Sequence, residues 1–218
     1  MRFEVTLHKS MKRIGILGSG KGSNFAAIAE AVQRKALPVE ITLALSDVEG
    51  SGILSLAAKY AIPCRHVAPG RFRTKLEPGV EGEYVRLLQE AGVDLVVLAG
   101  FMRILKAPFF SAFENRVMNI HPSLLPAFPG LEAWKQALDY GAKYTGCTVH
   151  FVTPEMDAGP IIQQFVVPIL PDDTSETLHA RIQQEEHRLY IEAIRLWADG
   201  RLRLVGRRVR ILEEPVKS

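Results

Sequence analysis

The chain has 218 residues, 47% of them hydrophobic and 23% charged, with a formal net charge of +3 from 27 Lys and Arg against 24 Asp and Glu. That length suits one domain with a substantial core, and the charge excess is too small, and too confined to Arg201, Arg203, Arg207, Arg208 and Arg210, to imply a nucleic acid partner. Cys64 and Cys147 are the only cysteines and no His cluster has ligand spacing, so neither a disulfide framework nor a structural zinc site is expected; no run approaches a membrane span of roughly 18 apolar residues.

Residues 1–11 carry Arg2, Glu4 and Lys9 where a signal peptide would be apolar. Met11 fits as a start, with residues 1–10 an extension before it and 1–11 ahead of the folded domain, and a reducing cytoplasm is the expected location. From Arg13 the pattern alternates between strand and helix: a strand at Ile14 to Leu17, a helix at Asn24 to Arg34, a strand at Ile41 to Leu45 and a helix at Gly52 to Tyr60. A short strand at Cys64 to Val67, a helix at Glu81 to Ala91 and a strand at Val93 to Ala99 follow. The strands are apolar on both faces, as helix-covered parallel strands are, and right-handed crossovers make this half doubly wound.

Between the first strand and first helix lies Gly18-Ser19-Gly20-Lys21-Gly22-Ser23-Asn24. Glycines permit close backbone approach and the amides of a helix N-terminus favour anions, so a phosphate is the natural ligand. The dinucleotide fingerprint needs glycine where Ser23 stands, and the Walker pattern needs Ser or Thr where Gly22 stands. Neither NAD nor ATP is implied, and a phosphate monoester fits better.

Arg116-Val117-Met118 reads as a short buried strand, after which the chain reads Asn119-Ile-His121-Pro122-Ser123-Leu-Leu-Pro126-Ala-Phe-Pro129-Gly130. A carboxamide, an imidazole and a hydroxyl in alternation make no sense as packing. Three prolines fix φ and disfavour helix in the residues before them, which predicts a rigid, extended loop at a strand end, the usual place for chemistry in α/β enzymes.

A short helix at Glu132 to Tyr140 and two strand-like runs, Thr145 to Thr153 and Ile161 to Ile169, continue the sheet in a more irregular second half. Asp157 lies in the turn-rich loop between these runs; leaning on His121, it would favour an imidazolium, and with Asn119 the pair suits stabilisation of an oxyanion. His150 is readable as site wall or as satisfied core histidine, with the former favoured. Both cysteines sit in strand-like runs, as small buried hydrophobes do. The last helix starts at Asp173 or Thr174, and its apolar stripe of Leu178, Ile182, Tyr190, Ala193, Ile194 and Trp197 is interrupted by Glu186. A carboxylate there needs a structural partner or reaches a site, and by itself the pattern favours the partner.

These segments together resemble the glycinamide ribonucleotide transformylase family of folate-dependent enzymes. The stretches that carry the resemblance are Gly20 to Asn24, Leu98 to Leu105, Asn119 to Gly130, and Val149 to Val152 on to Asp157-Ala158-Gly159-Pro160, and it extends over about residues 12 to 205. It implies a single formyltransferase-type α/β domain over residues 12–218, with a doubly wound, mainly parallel sheet flanked by helices. Residues 12–113 would form the half that binds the ribonucleotide phosphate, and 114–205 the catalytic and folate-binding half. The implied reaction moves formyl from 10-formyltetrahydrofolate to the amine of glycinamide ribonucleotide, with no metal, nicotinamide or flavin, in a monomer or homodimer.

By the same resemblance Asn119, His121 and Asp157 are the catalytic trio. Gly22, Ser23, Asn24 and Pro122 contact the ribonucleotide, as does Glu186, which reverses the structural reading of that acid. Met102, Arg103, Ile104 and Leu105 line the folate pocket. Lys75 aligns loosely with a basic residue near the folate, across an insertion containing Pro78 and Gly79, and Lys21 occupies a variable position from which it adds charge to the phosphate. Related enzymes sharing the core fit less well. A tRNA-directed formyltransferase has a further domain for which 218 residues leave no room, and a formyltetrahydrofolate deformylase has an N-terminal regulatory domain and a His where Pro122 stands.

Overall fold

The computed structural model describes residues 11–214. The extension expected at the N-terminus thus lies, but for Met11, outside the described residues. The elements are β1 (Lys12–Leu17), α1 (Ser23–Gln33), β2 (Val39–Ser46), α2 (Gly52–Lys59), β3 (Cys64–His66), α3 (Pro78–Glu90), β4 (Leu95–Leu98) and α4 (Ala107–Ala112). Then follow β5 (Val117–His121), α5 (Ala133–Tyr140), β6 (Tyr144–Phe151), β7 (Ile161–Pro168), α6 (Ser175–Ala198), β8 (Leu202–Val205) and β9 (Arg208–Ile211).

Seven strands form one sheet in the order β3-β2-β1-β4-β5-β6-β7. The first five are parallel, β6 runs antiparallel to β5, and β7 pairs antiparallel with β6 and so returns to the common direction; the sheet is mainly parallel as expected. The four residues of β4 show why its sequence is continuously apolar. Leu95 and Val97 join the core under α1 and α6, while Val96 and Leu98 join the opposite core of Tyr84, Leu88, Phe109 and Phe113 under α3 and α4.

α6 spans the first of these faces. Thr174 caps it: its side chain accepts from the Thr177 amide and the Thr177 hydroxyl accepts from the Thr174 amide, satisfying two groups at the helix start. Asp173 binds Arg181 through two contacts of 2.9 and 2.6 Å, tying the entry to the second turn. Further along, the fully buried Tyr190 hydroxyl donates to the carbonyls of Leu98 at 3.0 Å and Met118 at 2.9 Å. The helix is thereby fastened to the carboxyl end of β4 and to the second residue of β5.

Several sequence expectations need correction. Helix α3 begins at Pro78 rather than at Glu81, and Pro78 and Gly79 form its first turn, where proline's missing N–H matters least. Helix α4 was not foreseen; six residues make too few turns to display a period, and the amide of its N-cap Lys106 donates to the buried Glu81 carboxylate at 2.6 Å. A β8–β9 hairpin, also not foreseen, carries Arg203, Arg208 and Arg210 in its strands and Arg207 in its turn. Cys147 is buried as expected, but Cys64 is exposed because β3 lies at the sheet edge.

Candidate active site

β1 has β2 on one side and β4 on the other, so the chain changes winding direction there, and loops leaving the carboxyl ends of β1 and β4 part to form a crevice. The glycine loop leaves β1 into it. Gly22 is the residue before α1 and has φ 81°, a left-handed conformation that glycine adopts without strain; a Cβ here would also press on Ile53 Cα at 3.2 Å. The following amides, of Ser23 and Asn24, belong to the first helical turn and lack intrahelical acceptors, which fits the expected anion site.

α6 passes over this loop. Gln183 Nε2 donates to Ser23 Oγ at 3.3 Å, and Asn24 Nδ2 donates to Glu186 Oε2 at 3.2 Å, across 162 positions of sequence. Glu186 is 5% exposed, and burial pushes its carboxyl up to about 7, against a lowering by the Asn24 hydrogen bond. The other end of the Asn24 carboxamide, Oδ1, is buried without a hydrogen-bond partner among the described residues. Glu186 therefore does find a protein partner, but that partner is itself a residue of the expected ribonucleotide loop.

The loop after β4 forms the other wall. Met102 and Ile104 expose apolar surface at 57% and 39%, whereas Leu105 is buried. Arg103 is committed elsewhere: its guanidinium donates to Asp47 Oδ2 at 2.6 Å and to the carbonyls of Phe72 and Arg73. An expected folate contact from Arg103 can thus come from its backbone, not its charge. Asp47 also accepts from Ser19 Oγ, which in turn accepts from the Met102 amide at 2.9 Å. This Asp47–Ser19–Arg103 network, joining the ends of β1, β2 and β4, was missed; an acid directly after the apolar β2 run was its signal. Lys75 pairs with Ile104 through a backbone bridge and places its ammonium 4.4 Å above the Phe72 ring, so it stands beside the segment that the resemblance assigns to folate.

Asn119 and His121 lie inside β5, not in the loop after it. Alternation along the strand puts both on one face, which is the correction's physical content: a strand, more rigid than a loop, carries the pair. Pro122 follows directly. The loop from Pro122 to Gly130 is not extended throughout, since it turns at Leu124–Ala127 and Phe128 has φ 52°. The Ser123 hydroxyl is spent inside it, donating to Ala127 O at 2.6 Å. The loop does hold His121, whose Nε2 donates to Phe128 O at 2.9 Å.

Asp157, from the β6–β7 loop, reaches back to the same place. Its Oδ2 lies 3.6 Å from His121 Nδ1 and accepts from the Gly130 amide at 2.8 Å. The carboxylate is thus fixed by backbone and set against a buried imidazole, as the sequence reading expected. Asn119 makes no hydrogen bond to either; its carboxamide contacts His150 Nε2 at 3.3 Å. Among the described residues there is no group of three His, Cys, Asp or Glu side chains arranged to hold a metal ion.

Residues 12–194 match the family described as formyl transferase. The chain belongs to this family. A formyl transferase of this kind, the phosphoribosylglycinamide formyltransferase of Haemophilus influenzae, is 38% identical over 195 residues, covering 89% of this chain and 91% of that protein. The trifunctional purine biosynthetic protein adenosine-3 of Drosophila pseudoobscura pseudoobscura is 45% identical over 207 residues, and the match spans 94% of this chain but 15% of the relative's length. Among solved structures, glycinamide ribonucleotide transformylase 1 from Symbiobacterium toebii superposes with a TM-score of 0.89 at 49% identity, covering 93% of this chain and 95% of that one. The formyl transferase fold with its mainly parallel sheet is therefore the fold of this chain.

Proposed function

We propose that this formyl transferase moves the formyl group of 10-formyltetrahydrofolate to the amine of glycinamide ribonucleotide, giving formylglycinamide ribonucleotide and tetrahydrofolate. The observation that carries the reading is the meeting of three parts at one crevice: an anion-ready glycine loop, an apolar wall at Met102 and Ile104, and the His121–Asp157 pair. The names of its relatives at 38% to 49% identity support the same reaction.

In this reading the phosphate rests on Gly22, Ser23 and Asn24, Glu186 and Pro122 contact the rest of the ribonucleotide, and the folate lies along Met102 to Leu105 with Lys75 beside it. The amine attacks the formyl carbon, a C–N bond forms, and the carbonyl oxygen becomes an oxyanion. His121 as imidazolium and Asn119 donate to that oxygen, with the His121 N–H exchanging the Phe128 carbonyl for it. Asp157 stabilises the imidazolium and passes the amine proton, through water, towards the folate nitrogen as the C–N bond to the folate breaks. The division into a ribonucleotide half, 12–113, and a catalytic and folate half, 114–205, is crossed by α6, which brings Glu186 back to the glycine loop.

We place the enzyme in the cytoplasm as a monomer or homodimer; no helix among the described residues is long and apolar enough to cross a membrane. The test is formyl transfer from 10-formyltetrahydrofolate with three acceptors: glycinamide ribonucleotide, water and charged initiator tRNA. Transfer to the ribonucleotide alone is expected. Formate release at an equal rate without it would replace the reading by a deformylase.

A further inference from the structure

We infer that His150, as a neutral imidazole with its proton on Nδ1, fixes which way round the Asn119 carboxamide sits and so presents an N–H, not an oxygen, to the reacting carbonyl. This rests on the proposed reaction, in which Asn119 is a donor. His150 is then a positioning residue acting through Asn119.

Four observations lead there. Asn119 and His150 are directly opposite in the antiparallel β5–β6 pair, which puts both side chains on one face within reach of each other. The β6–β7 ladder shifts register between Val149 and His150, the kind of irregularity that re-aims a side chain. His150 Nδ1 lies 2.9 Å from the Phe151 carbonyl, which can only accept, so Nδ1 carries the hydrogen. In a neutral ring Nε2 is then a bare acceptor, and the atom facing it at 3.3 Å must be the amide nitrogen of Asn119.

The reverse orientation would set the Asn119 oxygen against Nε2, two lone pairs facing one another, unless the ring carried both protons. That charged form is disfavoured: His150 is 1% exposed, and burial above all, then the nearby His121, holds its pKa below the ordinary imidazole value, although the Phe151 carbonyl and Asp157 pull the other way. Gly159 keeps the fixing carbonyl accessible. A Cβ there would lie 1.7 Å from Phe151 O, so any other residue would push this carbonyl from its place. One Asn119 N–H is thus held by His150 and the second remains for the formyl oxygen, while the amide oxygen is kept away from the developing negative charge.

Two measurements on the full chain decide it. The first reads the 15N resonances of His150 in the substrate-free protein at about pH 7, where a neutral ring protonated on Nδ1 is expected. This readout does not depend on any activity, so it separates failure of the inference from failure of the proposed reaction. A ring protonated on Nε2, or on both nitrogens, overturns the inference. The second compares formyl transfer by His150→Leu and His150→Gln, the latter offering an amide oxygen at about the reach of Nε2, alone and with Asn119→Ala. His150→Leu should lower kcat roughly tenfold or more with both KM values within about twofold, Gln should recover much of the loss, and neither should matter once Asn119 is Ala. Equal losses in Leu and Gln variants, or losses that persist in the Asn119→Ala background, overturn it. If the Leu variant does not fold, the Gln comparison and the resonances still decide.

Discussion

At His121 the structure gives the imidazole two fixed neighbours, the Phe128 carbonyl at 2.9 Å and Asp157 at 3.6 Å, within a site where the ring is almost wholly buried. In the proposed reaction Asp157 keeps its place while the Nε2–H passes from Phe128 O to the oxyanion, and such a donor is worth about 10² to 10³ in kcat. His121→Ala should therefore lose that factor in turnover; it also removes a buried ring and leaves Phe128 O and Asp157 without their partner, so the comparison is made on the folded variant below its lowered thermal midpoint. Turnover within about threefold of the parent, in a folded variant, rules His121 out as the oxyanion donor. Asp47, Ser19 and Arg103 are a contrast at the same scale. They are polar and adjacent to the crevice, yet each satisfies the others, so they shape the walls rather than act on substrate.

Among the elements, β5 and α6 hold the residues of the proposed site. β5 presents Asn119 and His121 on one face, and α6 crosses above to bring Gln183 and Glu186 to the glycine loop. The Tyr190 hydroxyl joins them by donating to Leu98 O at the end of β4 and to Met118 O within β5. Tyr190→Phe leaves those buried carbonyls short of a donor, a loss of roughly 1 to 3 kcal/mol. At this chain length each kcal/mol corresponds to about 2 to 4 °C of thermal midpoint, so a drop of several degrees is expected by thermal denaturation. Turnover should fall as well, because Met118 directly precedes Asn119. An unchanged midpoint in the Phe variant removes the hydroxyl from this joining role.

For the whole molecule, Glu186 links site and stability. Its carboxyl ordinarily ionises near 4.5 and is raised by burial to about 7 in the folded chain. The folded state thus holds the proton more tightly than the unfolded one between these values. The stability contributed is full below about 4.5 and is lost as pH rises towards and through about 7, a change on the order of 3 kcal/mol. Thermal midpoints of the parent should fall over that window more steeply than those of Glu186→Gln, whose side chain does not titrate. Parallel curves for the two proteins would place the slope in other groups.

How much of this was legible follows from what range each interaction has. The alternation of strand and helix, the glycine loop and the two-sided burial of β4 are written in neighbouring residues, because period and backbone freedom are local properties. Glu186 could be picked out as an acid on an apolar stripe, and Asn119, His121 and Asp157 as polar residues where packing calls for none. Their belonging together came from the order of motifs along the chain, not from spacing. Short elements stayed hidden: α4 has too few turns to show a period, and β8 and β9 have four residues each.

What the sequence alone determined is therefore the kind of parts this protein has: a doubly wound half, a glycine-rich turn at the start of the first helix, and an amide and an imidazole beside a short buried strand. Only the tertiary structure decided their relations. It set Asp157 against His121 across 36 positions, Glu186 against Asn24 across 162, and Arg103 against Asp47 across 56, and it turned His150 towards Asn119. The physical reason is that hydrogen bonds and ion pairs act over a few ångströms, so which groups share them depends on the sheet order and the path of α6, and neither is written in any local stretch of chain.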